Sequence, residues 1–292
     1  MNLETVAQLL GNGLLLGGVY AGLGIGLSLL LGVLKIVNLS HSAVLIFGSL
    51  IYWELVNTLG LDPILAIFPV VVAGFGIGVL VHRTVGQYMV REDSRTMVLA
   101  FFGILVLVES AAIIIWTTDT RTVNVGYLSQ LVTFGSLSFP LSKLVAAGLT
   151  VLLMVGLHLY LTRTLGGAAV RAISQNIDVA QMVGIDVTKI SRRVFGAGLG
   201  LAAFGGTVLA MVVSFSPQEH PRWLAWSFLV VILGGLGSTL RTLSAGLIVG
   251  VLESFIGFLL PFQYIYVVLY GLLALLLLVR PQGFARTKQR EL

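Results

Sequence analysis

The sequence predicts an all-α fold, a polytopic transmembrane helical bundle of about nine spans, with eight or ten also fitting. Hydrophobic residues make up 57% of the 292 positions and charged residues only 10%, a balance that ordinary soluble domains do not show. Mean hydropathy is +1.03. Apolar windows near the roughly 20 residues needed to cross a hydrocarbon core recur along the whole chain, separated by short polar breaks. They form a single domain over residues 1–292.

The windows run in order. Ala7 to Leu34 comes first; Glu4 and no basic residue precedes it, and no small-residue cleavage pattern follows, so it is expected to stay as a span. Leu39 to Thr58 begins with the polar Ser40, His41 and Ser42. Pro63 to Val81, Met97 to Thr117, Leu141 to Leu161 and Val194 to Phe215 are plain apolar windows. Leu224 to Leu240 contains Gly234, Gly235 and Gly237, and Leu243 to Leu260 and Tyr264 to Val279 complete the set. The windows at Leu39 and Leu224 are the weakest, and either suits a broken or re-entrant helix. Glycines at four-residue spacing, among them Gly13 and Gly17, Gly74 and Gly78, and Gly246 and Gly250, make flat strips for close helix packing, within the chain or between subunits.

Charge then sets an orientation. If the end of the third window is cytoplasmic, Lys35, Arg83, Arg91, Arg95, the cations from Arg163 to Arg193, Arg241, Arg280, Arg286, Lys288 and Arg290 all lie inside. Only Arg121, Lys143 and Arg222 of the 17 Lys and Arg residues fall outside. This positive-inside bias places the N-terminus outside and the C-terminus inside. The basic residues follow topology and do not gather with aromatics into a nucleic-acid surface. No cysteine is present, which excludes disulfides and thiolate chemistry. The chain has no phosphate-binding loop, no His-Glu-x-x-His zinc motif and no Gly-x-Ser-x-Gly elbow. It is therefore expected to be no enzyme, with no catalytic or metal-ligating set of its own.

The polar run over residues 162–193 is the most informative interruption. Gly166 and Gly167 allow a turn, Ala168 to Gln175 suits a short helix, and Asp178 suits the N-cap of a second that stops at Gly184. Asp186 then caps the next span. Small Ala172 and Ala180, with apolar Ile173, Met182 and Val183, make a knob for an aqueous groove or merely the link between two spans.

This run resembles the cytoplasmic coupling loop of ABC-transporter permeases of the branched-chain amino acid class, a family that also handles urea and short amides. Its Arg171-Ala172, Asp178, Ala180 and Gly184-Ile185-Asp186 fall in the family's order. Three more segments match in sequence. Leu-Leu-Gly-Val-Leu-Lys-Ile-Val-Asn-Leu-Ser-His-Ser, from Leu30 to Ser42, is similar to the family's Gly-Val-Leu-x-x-Ile-Asn-Phe-Ala-His-Gly. Leu-Gly-Gly-Leu-Gly-Ser ending at Ser238, with the later Gly246 to Glu253 segment, and Arg-Pro-Gln-Gly from Arg280 resemble the remaining two. Departures are the two hydroxyls Ser40 and Ser42, and Leu240-Arg241 where a Pro-Gly is usual.

The resemblance implies the shorter of two paired permeases in an importer of the prokaryotic cytoplasmic membrane. It implies a partner permease, a paralogue in this family, two ATP-binding subunits that hold ATP and magnesium, and an extracytoplasmic solute-binding protein. It carries no cofactor to this chain. Contact with the ATPases is expected through Arg171, Ala172, Asn176, Asp178, Ala180, Met182 and Gly184. A self-sufficient channel or secondary carrier, for instance for urea, is the alternative.

An ionisable group inside a span costs roughly 2.5 to 3.5 kcal/mol on insertion scales, so each needs an account. Glu109 and Glu253 either bridge helices or line the pathway, and His41 either caps a helix or sits in a discontinuous one facing a cavity. Asn38, Ser40, His41, Ser42, Glu109 and Glu253 are the expected pathway residues. Glu54 and His158, near window ends, are expected to snorkel.

Overall fold

A computed structural model describes residues 2–89, 93–123, 126–261 and 263–279. Arg91 and the segment from Arg280 onward, including the Arg-Pro-Gln-Gly motif, Arg286, Lys288 and Arg290, lie outside the described residues.

Each of the nine windows is a helix. They are α1 (Leu3–Val33), α2 (Ser40–Trp53), α3 (Pro63–Val81) with a short α4 (Gln87–Met89), α5 (Ser94–Trp116), α6 (Leu141–Arg163), α9 (Val187–Ala210), α10 (His220–Gly234), α11 (Thr239–Leu259) and α12 (Gln263–Val279). Between α6 and α9 stand α7 (Leu165–Gln175) and α8 (Ile177–Met182). Strands β1 (Leu131–Phe134) and β2 (Leu137–Pro140) form a hairpin with Leu131 opposite Pro140. Among the described residues, six helices are long and apolar enough to cross a bilayer: α1, α3 with its π-helical extension, α5, α6, α9 and α11. Of the other three, α10 is short: at 1.5 Å per residue its 15 residues reach only about 22 Å, less than the core thickness of about 30 Å. Helix α12 is likewise a shorter apolar helix. Helix α2 runs without a gap into a π-helical turn, Glu54–Thr58, and it differs from the six in composition, with Ser40, His41 and Ser42 at its start and Glu54 in its last turns.

Helices α1 and α9 are the buried centre, with 78% and 89% of their apolar windows enclosed by protein. Glycine decides how they are enclosed. A Cβ on Gly246 of α11 would stand 2.7 Å from the Ala21 nitrogen and the Gly17 carbonyl oxygen of α1. A Cβ on Gly78 of α3 would stand 2.8 Å from the Gly196 Cα of α9. The small-residue strips therefore serve packing inside this chain, where backbones touch because no side chain intervenes.

The chain alternates direction, so one end of the bundle collects Lys35, Arg83, Arg163 and Arg241 together with α7 and α8. The opposite end carries the hairpin and a bridge in which Arg121 and Phe215 exchange backbone hydrogen bonds of 2.8 and 3.0 Å. Gln8 on α1 anchors the hairpin, donating from Nε2 to the Ser138 carbonyl at 2.7 Å and accepting from the Ser138 amide at 3.0 Å. Asp62 caps α3 and also accepts from the Tyr127 hydroxyl at 2.9 Å. Glu54 accepts from the Trp116 indole at 3.1 Å, and His158 lies 3.2 Å from the Thr239 hydroxyl, so neither merely snorkels.

Candidate functional site: a polar seam and a projecting helix pair

The first cluster sits where the chain turns back into the bundle. Helix α1 ends at Val33, and Lys35 follows in the left-handed region at φ 56°, a conformation that usually selects glycine. Asn38 then closes an Asx turn, its Oδ1 accepting from the Ser40 amide at 3.0 Å and the Ser40 hydroxyl at 2.6 Å. This turn starts α2 inside the bundle. His41 Nε2 lies 2.9 Å from the carbonyl of Leu23, well before the end of α1. The carbonyl can only accept, so Nε2 carries the proton. Ser227 on α10 donates to the same carbonyl at 3.3 Å. The Leu23 oxygen thus joins α1, α2 and α10, and the helix that begins at Ser40 runs without a break through Thr58. Asn38, Ser40, His41 and Ser42 are all fully buried. Thr242 continues the seam along α1 by donating to Ser28 at 3.0 Å.

The two carboxylates flank the start of α10 and belong to different groupings. Glu109 on α5 lies 3.2 Å from His220 Nε2. Glu253 on α11 is approached by Tyr20 and Trp226, with Arg222 and Lys143 as the cations acting on it. Neither reaches the Asn38 to Ser42 turn, so the six expected residues form three separate settings. Arg222, Trp223, Trp226, Tyr20, His220 and Ser227 were not singled out by sequence reasoning. The only signal was two tryptophans three positions apart beside one of the few outer-end cations.

Helices α7 and α8 differ in detail from the expected pattern. Thr164, not a turn at Gly166, starts α7: its hydroxyl accepts from the Gly167 amide at 3.0 Å. Asn176, not Asp178, caps α8, accepting from the Asp178 and Val179 amides at 2.9 and 3.1 Å. Asp178 sits in the first turn, where its charge still suits the helix dipole. Gly184, at φ 85°, ends the pair, and Asp186 caps α9 by accepting from the Lys189 amide at 2.9 Å. Ile173 and Ala180 face inward at 1% and 2% exposure, whereas Val179, Met182 and Val183 stand out at 54%, 84% and 71%. Arg171, Asn176, Asp178 and Gly184 are exposed and Ala172 is half-buried. Gln175, Asn176 and Ile177 share a small cavity with Val33 and Lys35, so the helix pair abuts the turn that leads into α2.

Comparison with known proteins agrees with this architecture. Residues 9–278 match the model of a family described as the branched-chain amino acid transport system permease component. The chain is 27% identical to the high-affinity branched-chain amino acid transport system permease protein BraD of Pseudomonas aeruginosa, covering 94% of each chain. It is 27% identical to the corresponding permease protein LivH of Escherichia coli, over 93% of this chain and 92% of that one. It is also 25% identical to permease protein LivM of Escherichia coli, over 91% of this chain and 67% of that one. No solved structure matches. With six bilayer-length helices and a family match running through nearly all of them, the chain belongs to the permease family of branched-chain amino acid ABC transport systems.

Proposed function

We propose that this chain is a membrane-spanning subunit of an ATP-driven importer for a branched-chain or related small amino acid. It works beside a second, paralogous permease, two ATP-binding subunits that supply ATP and magnesium, and an extracytoplasmic binding protein. The observation that carries the reading is the pair α7–α8, which projects from the cation-rich end and exposes Val179, Met182 and Val183. A soluble surface keeps such an apolar patch for a partner. Family membership and the names of the relatives BraD, LivH and LivM support the substrate class and the pairing. The cation bias supports a cytoplasmic location for this end, with the N-terminus outside.

The mechanism follows from the linkage between the patch and the seam. Seating the Met182 patch in an ATPase groove makes the position of α7–α8 depend on the nucleotide state. ATP shifts the transporter only through a difference in that contact between its two conformations. Because α7 and α8 share a cavity with Lys35, their displacement bears on the turn that carries Asn38, Ser40, His41 and Ser42. We assign those residues to the closed part of the pathway, with Glu109 and Glu253 at its outer approach. Their hydrogen bonds to α1 and α10 are the contacts that would exchange when it opens.

In proteoliposomes holding the complete complex, Met182→Asp should abolish ATP-dependent leucine uptake while leaving the amount of permease in the membrane unchanged. Undiminished ATP-coupled uptake by that variant would sink the coupling assignment.

A further inference from the structure

The outer half of the bundle contains a cluster of rings and charges whose hydrogen-bonding capacity is not used up within the chain. A buried donor or acceptor without a partner costs free energy, so several together call for an occupant. Trp223 is 1% exposed and its Nε1 donor has no protein acceptor. The Arg222 guanidinium carbon lies 4.5 Å from the Trp223 ring and 4.8 Å from the Tyr266 ring. Its ion-pair partner Glu219 is 3.9 Å away, and its buried Nε has no acceptor. On the facing helix, Glu253 is approached by Tyr20 and Trp226, yet its Oε2 is buried and unpartnered. Trp226 meets Tyr20 edge-on at 6.3 Å and Tyr266 at 5.7 Å.

The pattern has two poles. At one, the Arg222 Nε–H and the Trp223 indole N–H are donors without acceptors, beside the Glu219 carboxylate that pairs loosely with Arg222; at the other, the Glu253 Oε2 without a donor stands among rings. We propose that this cluster recognises the charged head of an α-amino acid in transit. The solute carboxylate meets Arg222 and Trp223 Nε1, and its ammonium meets Glu253 and the rings of Trp226 and Tyr20, which attract a cation through their π faces. A neutral amide, urea or sugar can hydrogen-bond there but brings no opposite charge to either pole, so its bonds are the weaker ones. The site also leads toward the seam, since Ser227 bonds both the Trp223 carbonyl at 2.8 Å and the Leu23 carbonyl that His41 contacts. This inference rests on the amino-acid importer reading and gives it a site.

The test uses the full chain in lipid nanodiscs with Trp53→Phe and Trp116→Phe, so that Trp223 and Trp226 are the remaining two of the four tryptophans. L-Leucine should change their fluorescence saturably. Leucinamide, which lacks the carboxylate, and N-acetyl-leucine, which lacks the ammonium, should each bind at least about tenfold more weakly. Glu253→Gln should erase the preference over N-acetyl-leucine and spare that over leucinamide, and Arg222→Gln should do the reverse. Glu253→Asp, which keeps the charge, should retain both preferences. A cluster that only fastens α12 to the bundle predicts no saturable change, or the same change with all three compounds, and either result overturns the proposal. ATP-driven leucine uptake by the complete complex separates the two readings. Uptake without leucine-specific fluorescence removes the site alone; absence of uptake removes the importer reading.

Discussion

Single side chains hold this bundle together where helices break. His41 is fully buried and makes its bond to a carbonyl in the interior of α1. His41→Leu therefore loses one hydrogen bond and leaves the Leu23 oxygen with less than its share. We expect a loss of about 1 to 3 kcal/mol, read as a lower melting temperature in detergent, with Ser227→Ala adding less than independently because both share that acceptor. Asp62 is a different case, exposed at the start of α3. Its carboxyl is held below the ordinary range, chiefly by the Tyr127 hydroxyl and then by the Ile64 amide. A lowered folded-state value means that this capping contribution is complete above the unfolded carboxylate pKa of about 3.9 and disappears as pH falls through the lower folded value. Amide protection at Ile64 and Leu65 should accordingly hold at neutral pH and fall only below about pH 4, while Asp62→Asn should remove that pH dependence.

At the scale of elements, helix length and helix contact explain the departures from nine equal spans. The Lys35 to Asn38 turn separates α2 from α1 and delays its start to Ser40, and α10 is short because Gly235 and Gly237, both at positive φ, end it. The polar start of α2 packs against α1 where glycine makes room, His41 standing beside Gly26. Gly246→Leu on α11 should force α1 and α11 apart and destabilise the protein by about 1 to 3 kcal/mol or more, since the new Cβ meets backbone that cannot rotate away. Thermal unfolding in detergent measures it, and Leu247→Ile beside it serves as the mild control. The pair α7–α8 shows the opposite logic: its stability comes from Ile173 and Ala180 turned inward, which frees Met182 and Val183 for contact.

Across the whole molecule, orientation is the property that function depends on. The absence of cysteine gives a clean background. Met182→Cys should react with a membrane-impermeant maleimide only from the cytoplasmic side and Ser136→Cys, in the β1–β2 turn, only from the outside; the reverse pattern would invert the topology. The nine apolar windows, the capping Asp186 and the stop at Gly184 were all legible in the sequence, because length, hydropathy and helix-end chemistry are local. The exposed face of α8 was not. The sequence grouped Ala180 with Met182 by composition, and only packing against the bundle turned one inward and the other out. Likewise the run from Asn38 to Ser42 announced a polar break, but nothing local pairs His41 with Leu23 or Ser227, which lie 18 and 186 positions away. Arg222, Trp223, Tyr20 and Glu253 come from three different helices and meet only once α10 and α11 have settled against α1. The sequence by itself determined a polytopic all-α bundle and its charge bias, since each follows from the free energy of placing a residue in hydrocarbon or water, while the order of its motifs pointed to the permease family. Which polar groups share a partner, and which remain open to a solute, was decided by the tertiary structure, because that depends on how closely glycine-lined backbones approach.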